Sequence, residues 1–228
     1  MNSNTEINAS QLWGDVFNNR YHCAAHIKNK QINQEFDFPC YFMKQTHSNK
    51  IVLIESIGSE SLVTFDSQTL RLEKVDVNYQ DSNYVVESDA LITDQRELGL
   101  AVKTADCLPI YIAGGKYISV IHAGRVGTLA SITKKVCLSF KYLGVEEVKV
   151  WFGPSSCVFC YEIDEDTNTH FDMLYSNKFQ IESVFPIKNV QYHMPKKEYV
   201  CTQCNTDTFY SYRFGDDSLR NYFYLANL

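Results

Sequence analysis

Short apolar runs separated by turn-forming residues dominate the chain between residues 38 and 152. Runs of this length, rich in valine, isoleucine, leucine and tyrosine, are typical of β-strands. The pattern therefore predicts a β-rich fold. The predicted strands are Cys40–Lys44, Ile51–Ile57, Ala90–Thr93, Leu98–Thr104, Leu108–Ala113, Tyr117–Ile121 and Val148–Phe152.

One segment changes from a strand pattern to a helical one. From Thr128 to Leu143, apolar residues recur at steps of three and four, which predicts an amphipathic helix. Its apolar stripe is Leu129, Ile132, Val136, Phe140 and Leu143. Thr128 is the expected N-cap and Gly144 the expected C-terminal stop. Residues 1–35 are the least organised, with a short helix possible around Gln11–Asn19. The mixture predicts an α+β or mixed α/β fold in a single domain, residues 1–228.

Composition narrows the class of protein. The chain has 228 residues, of which 45% are hydrophobic and 21% charged, as in ordinary globular proteins. The net charge of −6 argues against general nucleic-acid binding. No apolar run reaches the length of a membrane helix, and Met1–Ser10 lacks the apolar core of a secretory signal. We therefore expect the eight cysteines to be reduced thiols in a cytoplasmic protein.

The stretch from Leu98 to Gly127 carries the residues with the clearest chemistry. Its two strand runs flank Gly114–Gly115, and a Gly-Gly pair favours a two-residue hairpin turn. Cys107 and His122 are equally far from that turn, so they would face each other directly, with Cβ atoms roughly 5 Å apart. Such a pair can share a metal ion or form a nucleophile pair. His47, in a turn between strand runs, is the best-placed third ligand. A buried cysteine beside an unrelated histidine is the plainer alternative.

Two further patterns carry possible chemistry. After His122 the chain passes Gly124, Arg125 and Gly127 into the predicted helix, and a strand, a glycine loop and a helix N-terminus can direct N–H groups at an anion. The pairs Cys157-x-x-Cys160 and Cys201-x-x-Cys204 offer a rival metal site. Their separation exceeds the usual interval of a structural zinc site, so the histidine-containing site is the favoured hypothesis.

Several sequence blocks together resemble one known family. The blocks are QTHSNKIV at Gln45–Val52, SDALIT at Ser88–Thr93, VKTADCLPIYIA at Val102–Ala113, VIHAGRVGTLASI at Val120–Ile132, FGPSSCVFCYEI at Phe152–Ile163 and CTQCNTDTFYSYR at Cys201–Arg213. In order and spacing they resemble the YfiH-like family, once called multicopper polyphenol oxidases or laccase-domain proteins. Members of this family are now described as purine nucleoside enzymes.

The resemblance implies a fold, a metal site and an activity. The implied fold is α+β, with two central mixed sheets flanked by helices. The family's metal ligands fall on His47, Cys107 and His122, and the implied ion is zinc. The implied activity is phosphorolysis of adenosine, inosine and methylthioadenosine, with adenosine deamination as a second reaction. The expected partners are a purine nucleoside and phosphate, with no nucleic acid and no membrane, and the protein is expected to be a monomer or homodimer.

Site roles follow from the same resemblance and the glycine loop. Cys107, His122 and Asp106 are the candidate catalytic residues, Asp106 as an acid, base or hydrogen-bonding group. The candidate phosphate contacts are Gly124, Arg125, Gly127, Thr128 and Arg213.

Two departures from the family pattern concern anion binding. Where the family has HAGWRGT, this chain has HAGRVGT, so Arg125 replaces a tryptophan and Val126 an arginine. The usual N-terminal block with an arginine and paired glycines is not visible near His22–Lys30. Arg125 and Arg213 are the candidates to compensate. Two other functions stay open: a hydrolase that edits cell-wall precursors, and a weakly active zinc-containing binding protein. A copper oxidase is the least supported function, because the six histidines form no His-x-His clusters.

Overall fold

A computed structural model describes residues 21–26, 38–66, 69–80, 83–197, 200–216 and 218–228. The helix suggested around Gln11–Asn19 lies outside these residues, as do the side chains of His22 and His26. Sixteen strands are described: β1 Tyr21–His26, β2 Cys40–Met43, β3 Ile51–Ser56, β4 Ser59–Asp66, β5 Thr69–Lys74, β6 Asn78–Gln80, β7 Asn83–Val86, β8 Ala90–Thr93, β9 Leu98–Thr104, β10 Leu108–Gly114, β11 Tyr117–Ala123, β12 Val148–Phe152, β13 Glu162–Asp164, β14 Thr169–His170, β15 Val190–His193 and β16 Asn221–Asn227.

The described helices are few and short. They are α1 Arg125–Leu129, α2 Ile132–Tyr142 and α3 Met173–Glu182, with single 3-10 turns at Ile187–Asn189 and Tyr212–Phe214. Among the described helices, none is both long and apolar enough to cross a membrane.

Two large mixed sheets form the body of the fold. Six strands run in the order β1-β16-β9-β2-β7-β6, and eight in the order β15-β12-β10-β11-β8-β3-β4-β5. Parallel pairs, such as β3 with β8 and β12 with β15, occur within otherwise antiparallel sheets. The α+β fold with two central mixed sheets is therefore confirmed. The described helices α2 and α3 pack on the eight-stranded sheet.

Strand alternation divides the eight-stranded sheet into two apolar faces. One face joins the six-stranded sheet through a core that includes Tyr111 and Val120. The other face, with Ile110 and Ile121, packs against α2 and α3. Since side chains alternate along a strand, His122 continues the face of Val120 and lies at the end of the core between the sheets.

The hairpin that carries the predicted site turns one residue later than predicted. Leu108 pairs with Ala123 and Gly114 with Tyr117, so the turn residues are Gly115 and Lys116. Gly115 has φ +57, and a glycine at the first turn position fits a type II′ turn. Gly114 remains in the strand, where a Cβ would lie 2.5 Å from Val145 Cγ1 and 2.7 Å from the Glu147 carbonyl. Gly114 therefore serves close packing, and the predicted turn was wrong.

The predicted long helix is divided in two. Gly124 is the N-cap of α1 and Ser131, with φ 61, the N-cap of α2, so the expected N-cap at Thr128 was wrong. Polar side chains hold the break, since Gln180 donates to the Thr128 carbonyl (2.8 Å) and Asn49 to the Ala130 carbonyl (2.9 Å). Beyond the break, Ile132, Val136 and Phe140 are buried as predicted.

Leu129 was also assigned to the buried stripe, but its side chain is 66% exposed, whereas Phe140 is 0% exposed.

We expect Phe140→Ala to lower the free energy of unfolding by about 3–5 kcal/mol, because it leaves a cavity in the core. Leu129→Ala should change it by less than about 0.5 kcal/mol. Urea unfolding of both variants measures the two values. Equal losses would contradict the division of the helix.

Candidate metal centre and its cavity

A buried carboxylate, Asp89, organises the turn that carries His47. Asp89 is 0% exposed and immediately precedes β8. Its oxygens accept hydrogen bonds from the backbone N–H of His47 (3.1 Å) and of Ser48 (2.7 Å), and from the hydroxyls of Thr46 (3.3 Å) and Ser48 (2.6 Å). His47 adopts φ 57, an uncommon conformation for a residue with a side chain. The carboxylate therefore holds a strained turn in place.

The same carboxylate fixes His122. The imidazole Nδ1 of His122 lies 2.8 Å from Asp89 Oδ1, and His122 is only 3% exposed. With Nδ1 occupied, Nε2 is the nitrogen left for another partner. A carboxylate behind a histidine in this way sets the ring orientation in many metal sites. Sequence reasoning quoted the block SDALIT but did not select Asp89; an acidic residue directly before a buried strand was the available signal.

His47, Cys107 and His122 converge at one point. Their ligand atoms all lie within 4.8 Å of one another, and the rings of His47 and His122 are 4.8 Å apart at an angle of 77°. Cys107 does not face His122 directly, because His122 pairs with Pro109. The predicted register was off by two residues, and Cys107 lies in the loop directly before β10 rather than within the strand. From that loop the thiol still reaches the two imidazoles, so the error in the turn did not separate the three side chains.

Charge couples the cysteine to the histidines in the metal-free protein. Burial alone would raise the pKa of Cys107, but the charge and hydrogen bonds of His122 and His47 outweigh it and lower the pKa to about 6. Burial would lower the pKa of His122, whereas Cys107 and Asp89 raise it to about 9. The pKa of Asp89 is lowered to about 2, because hydrogen bonds from His122 and Ser48 outweigh its burial. In the metal-free protein this coupling thus favours the thiolate form of Cys107 and the protonated form of His122.

Asp106, the residue before Cys107, has both carboxylate oxygens engaged. Thr202 Oγ1 donates to Oδ1 (2.7 Å), and the backbone N–H of Arg213 donates to Oδ2 (2.9 Å). Ser156 donates its N–H to the Asp106 carbonyl (2.9 Å), and Asp106 itself has φ 88. This carboxylate therefore ties the loop before β10 to two distant segments of the chain.

The glycines after His122 allow neighbouring segments of the chain to approach closely. A Cβ on Gly124 would lie 3.0 Å from Cys107 Sγ and 3.2 Å from His47 Cδ2. A Cβ on Gly127 would lie 2.7 Å from the Ser48 carbonyl, so Gly127 lets α1 pack against the His47 turn. Thr128 is buried and accepts a hydrogen bond from Asn177 (2.9 Å). Of the candidate phosphate contacts, Gly124, Gly127 and Thr128 are not among the described residues that line the cavity beside the metal centre.

A cavity of about 940 Å³ opens beside the three ligand side chains. Arg125 and Arg213, two of the candidate phosphate contacts, line it, together with Asp106 and Val126. Sequence reasoning missed the rest of the lining, which includes two further cations and three aromatic rings: Lys103, Arg220, Tyr161, Tyr212 and Tyr222. Lys103, Tyr161 and Tyr212 fall within the quoted sequence blocks, but nothing in those blocks indicates that their side chains meet at one cavity.

The four-cysteine cluster is a second place that could hold a metal ion. The sulfur atoms of Cys157, Cys160, Cys201 and Cys204 all lie within 4.8 Å of one another. Sequence spacing gave this site a low weight, and the topology explains how pairs so far apart in the chain come together. Strands β12 and β15 are parallel neighbours, so the segments that follow them begin at the same edge of the sheet.

Comparison with known families gives one match over most of the chain. Residues 14–220 match the family described as multi-copper polyphenol oxidoreductase laccase. The chain belongs to this family. Relatives include proteins named purine nucleoside phosphorylase from Clostridium acetobutylicum, 29% identical over 60% of this chain and 65% of that protein, and from Rickettsia conorii, 29% identical over 68% and 61%. A protein named adenosine deaminase, from an unknown prokaryote, is 29% identical over 59% of this chain and 47% of its own length. The matched segment thus spans less than two thirds of each of these relatives.

Solved structures support the fold. YlmD from Geobacillus stearothermophilus is 14% identical and superposes with a TM-score of 0.69, covering 97% of this chain and 98% of that one. The YfiH protein of Bacillus licheniformis is 19% identical, with a TM-score of 0.63 over 83% of this chain and 74% of that one. At these identities the likeness concerns the fold alone.

The lowered pKa of Cys107 generates a prediction for metal-free protein. Alkylation by iodoacetamide requires the thiolate, so the rate at Cys107 should rise with pH through about 6, whereas ordinary thiols respond near about 8.5. Added zinc should suppress the reaction. Peptide mapping by mass spectrometry assigns the modified residue, and buried Cys137, whose pKa burial raises, is the unreactive control. A midpoint near 8.5 at Cys107 would contradict the described charge coupling.

Proposed function

We propose that this protein is a zinc-dependent purine nucleoside enzyme. It cleaves adenosine, inosine and methylthioadenosine with phosphate and also deaminates adenosine. One observation carries the proposal: two imidazoles and a thiolate converge at a cavity whose lining also bears cations and tyrosine rings. Relatives named purine nucleoside phosphorylase and adenosine deaminase support the same substrate class.

The donor set fits zinc. One thiolate and two imidazoles are ligands that zinc prefers, and the buried Asp89 carboxylate behind His122 is the outer contact typical of such sites. His47, Cys107 and His122 would hold the zinc ion, which would act there as a Lewis acid. Cys107 and His122 would then contribute to catalysis as ligands. Asp106 acts as a positioning residue, since both of its oxygens already accept hydrogen bonds.

Cations on the cavity wall are the proposed binding groups for phosphate. Burial and the nearby charge of Arg220 lower the pKa of Lys103, so these two cations repel each other when the cavity holds no anion. A phosphate between them would relieve that repulsion. Arg125 lies on α1 beside the metal centre. The Arg213 guanidinium lies over the Tyr161 ring at 4.1 Å and donates to the Glu162 carbonyl (2.8 Å), which leaves further N–H donors for an anion.

The tyrosine rings are the proposed stacking surface for the purine base. Tyr161, Tyr212 and Tyr222 present aromatic surface in the same cavity, and a purine stacks on such rings. The volume of about 940 Å³ lies near the upper end of typical ligand cavities, which leaves room for a nucleoside and a phosphate together. In phosphorolysis a phosphate oxygen forms a bond to the ribose anomeric carbon. The bond to the purine nitrogen breaks, and the base leaves with a proton.

Adenosine incubated with and without phosphate tests the proposal. With phosphate we expect adenine and ribose 1-phosphate, and without it inosine and ammonia, because deamination needs only water. The ratio of inosine to adenine should fall as phosphate is raised. Chromatography identifies the products, and Cys107→Ala should abolish both activities. A ratio that does not respond to phosphate, or no turnover of any purine nucleoside, would refute the proposal and favour precursor editing or binding alone.

The position of Val126 generates a second prediction about phosphate. Val126 lines the cavity, is 55% exposed and occupies the place of the family's arginine. A charge-assisted hydrogen bond contributes roughly 1.5–3 kcal/mol, so Val126→Arg should lower the KM for phosphate by about tenfold to a hundredfold. Leu129→Arg is the matched control, since Leu129 is exposed on the same short helix but is not among the described lining residues. An equal effect of both substitutions would show that general surface charge is responsible.

A further inference from the structure

We propose that Cys157, Cys160, Cys201 and Cys204 hold a structural zinc ion, separate from the metal centre in the cavity. Two Cys-x-x-Cys pairs form a frequent ligand set for structural zinc. The inference is independent of the proposed function, because it rests on different residues.

The sulfur positions fit one tetrahedral ion. With zinc–sulfur bonds of about 2.3 Å, sulfur atoms in a tetrahedral site lie roughly 3.8 Å apart. Cys160 Sγ and Cys204 Sγ are 3.5 Å apart, and all four sulfurs are within 4.8 Å of one another. The 3.5 Å separation is far longer than a disulfide bond. The sulfurs are thus grouped as an ion would require and are not bonded to each other.

The backbone around the cluster favours thiolate sulfur. The N–H groups of Cys157 and Cys204 both point at Cys201 Sγ, at 3.4 Å each. Two N–H donors on one sulfur stabilise negative charge there. The segments are also joined without the ion, because Ser155 and Cys201 form a parallel bridge. The cluster is therefore largely preformed.

Both cysteine pairs are connected to the metal centre through Asp106. Ser156, directly before Cys157, donates its N–H to the Asp106 carbonyl (2.9 Å). Thr202, directly after Cys201, donates its hydroxyl to the Asp106 carboxylate (2.7 Å). Asp106 in turn precedes Cys107. A zinc ion that joins the two pairs thus stabilises the loop that positions Cys107.

Zinc content per chain tests the site. Under both proposals the purified protein should carry about two zinc ions per chain, one at each site. Cys160→Ser with Cys204→Ser should halve the content measured by elemental analysis, and so should Cys107→Ser with His122→Asn. Cys137→Ala, at a buried cysteine of α2, should leave it unchanged. Unchanged zinc in the cluster variant would overturn this inference.

The variants separate the two proposals. One zinc ion per chain in the wild type and none in the Cys107→Ser, His122→Asn variant would overturn the cluster site. That result would leave the proposed function standing. Zinc that is lost only on cluster substitution would support the cluster and remove the metal from the proposed function.

Cobalt provides a readout that does not depend on folding of the cluster variant. After zinc has been removed from the Cys107→Ser, His122→Asn variant with a chelator, one equivalent of cobalt should give the intense near-ultraviolet absorption of several thiolate ligands. Absence of that absorption would overturn the inference. Alkylation of the denatured, unreduced wild type should modify all four cysteines, and protection of a pair as a disulfide would also overturn it.

Discussion

The candidate centre depends on the hydrogen bonds of one buried carboxylate, that of Asp89. A charged carboxylate removed from water is strongly unfavourable unless it is hydrogen-bonded and paired. Asp89 meets that condition with the turn at Thr46–Ser48 on one side and with His122 on the other. Because the same two oxygens serve both partners, the position of His47 and the orientation of the His122 ring are set together. The backbone carbonyl of Asp89 also accepts from the His122 N–H (2.8 Å), which fixes the strand end as well.

Asp106 repeats this arrangement on the other side of the thiol. It joins the loop before β10 to Ser156, Thr202 and Arg213, which lie far along the chain. Cys107 therefore lies between elements held by two buried acidic residues. His47 and Cys107 lie in loops, whereas His122 lies on β11. Two loop-borne ligands require such support, since loops alone do not maintain side-chain geometry to a fraction of an ångström.

Strands and side-chain groupings that depend on apolar alternation and residue spacing can be predicted from the sequence. Features that depend on packing between distant segments cannot. Strand runs such as Ala90–Thr93 and Val148–Phe152 coincide with observed strands, because buried strands carry a local apolar signal. The turn was predicted one residue too early in the chain, and it lies at Gly115–Lys116. The close packing of Gly114 against Val145 is not visible in the sequence of the hairpin itself. The grouping of Cys107 with His122 tolerated that error, because Cys107 lies in the loop directly before β10, from which its thiol still reaches the His122 ring.

Pairing between distant strands explains what the sequence did not indicate about Asp89 and the cysteines. Asp89 was not selected from the sequence, because it acts through a hydrogen bond to a strand that is its neighbour only in the folded sheet. Both cysteine pairs were recognised from their spacing, but they meet because β12 and β15 are parallel, a pairing that no periodicity reveals.

The same limit applies to anion recognition. The resemblance noted in the sequence puts Val126 where the family pattern has an arginine, which directs attention to the loop after His122. The folded cavity, however, also draws cations from β9 and from the segment just before β16, with Lys103 and Arg220 close enough to influence each other. Under the proposed function, loss of one arginine on α1 therefore need not remove the phosphate site. The lining also carries Arg213, so its positive charge does not depend on α1 alone. A substitution on α1 changes the strength of phosphate binding, while Lys103, Arg213 and Arg220 retain the capacity of the cavity to bind an anion.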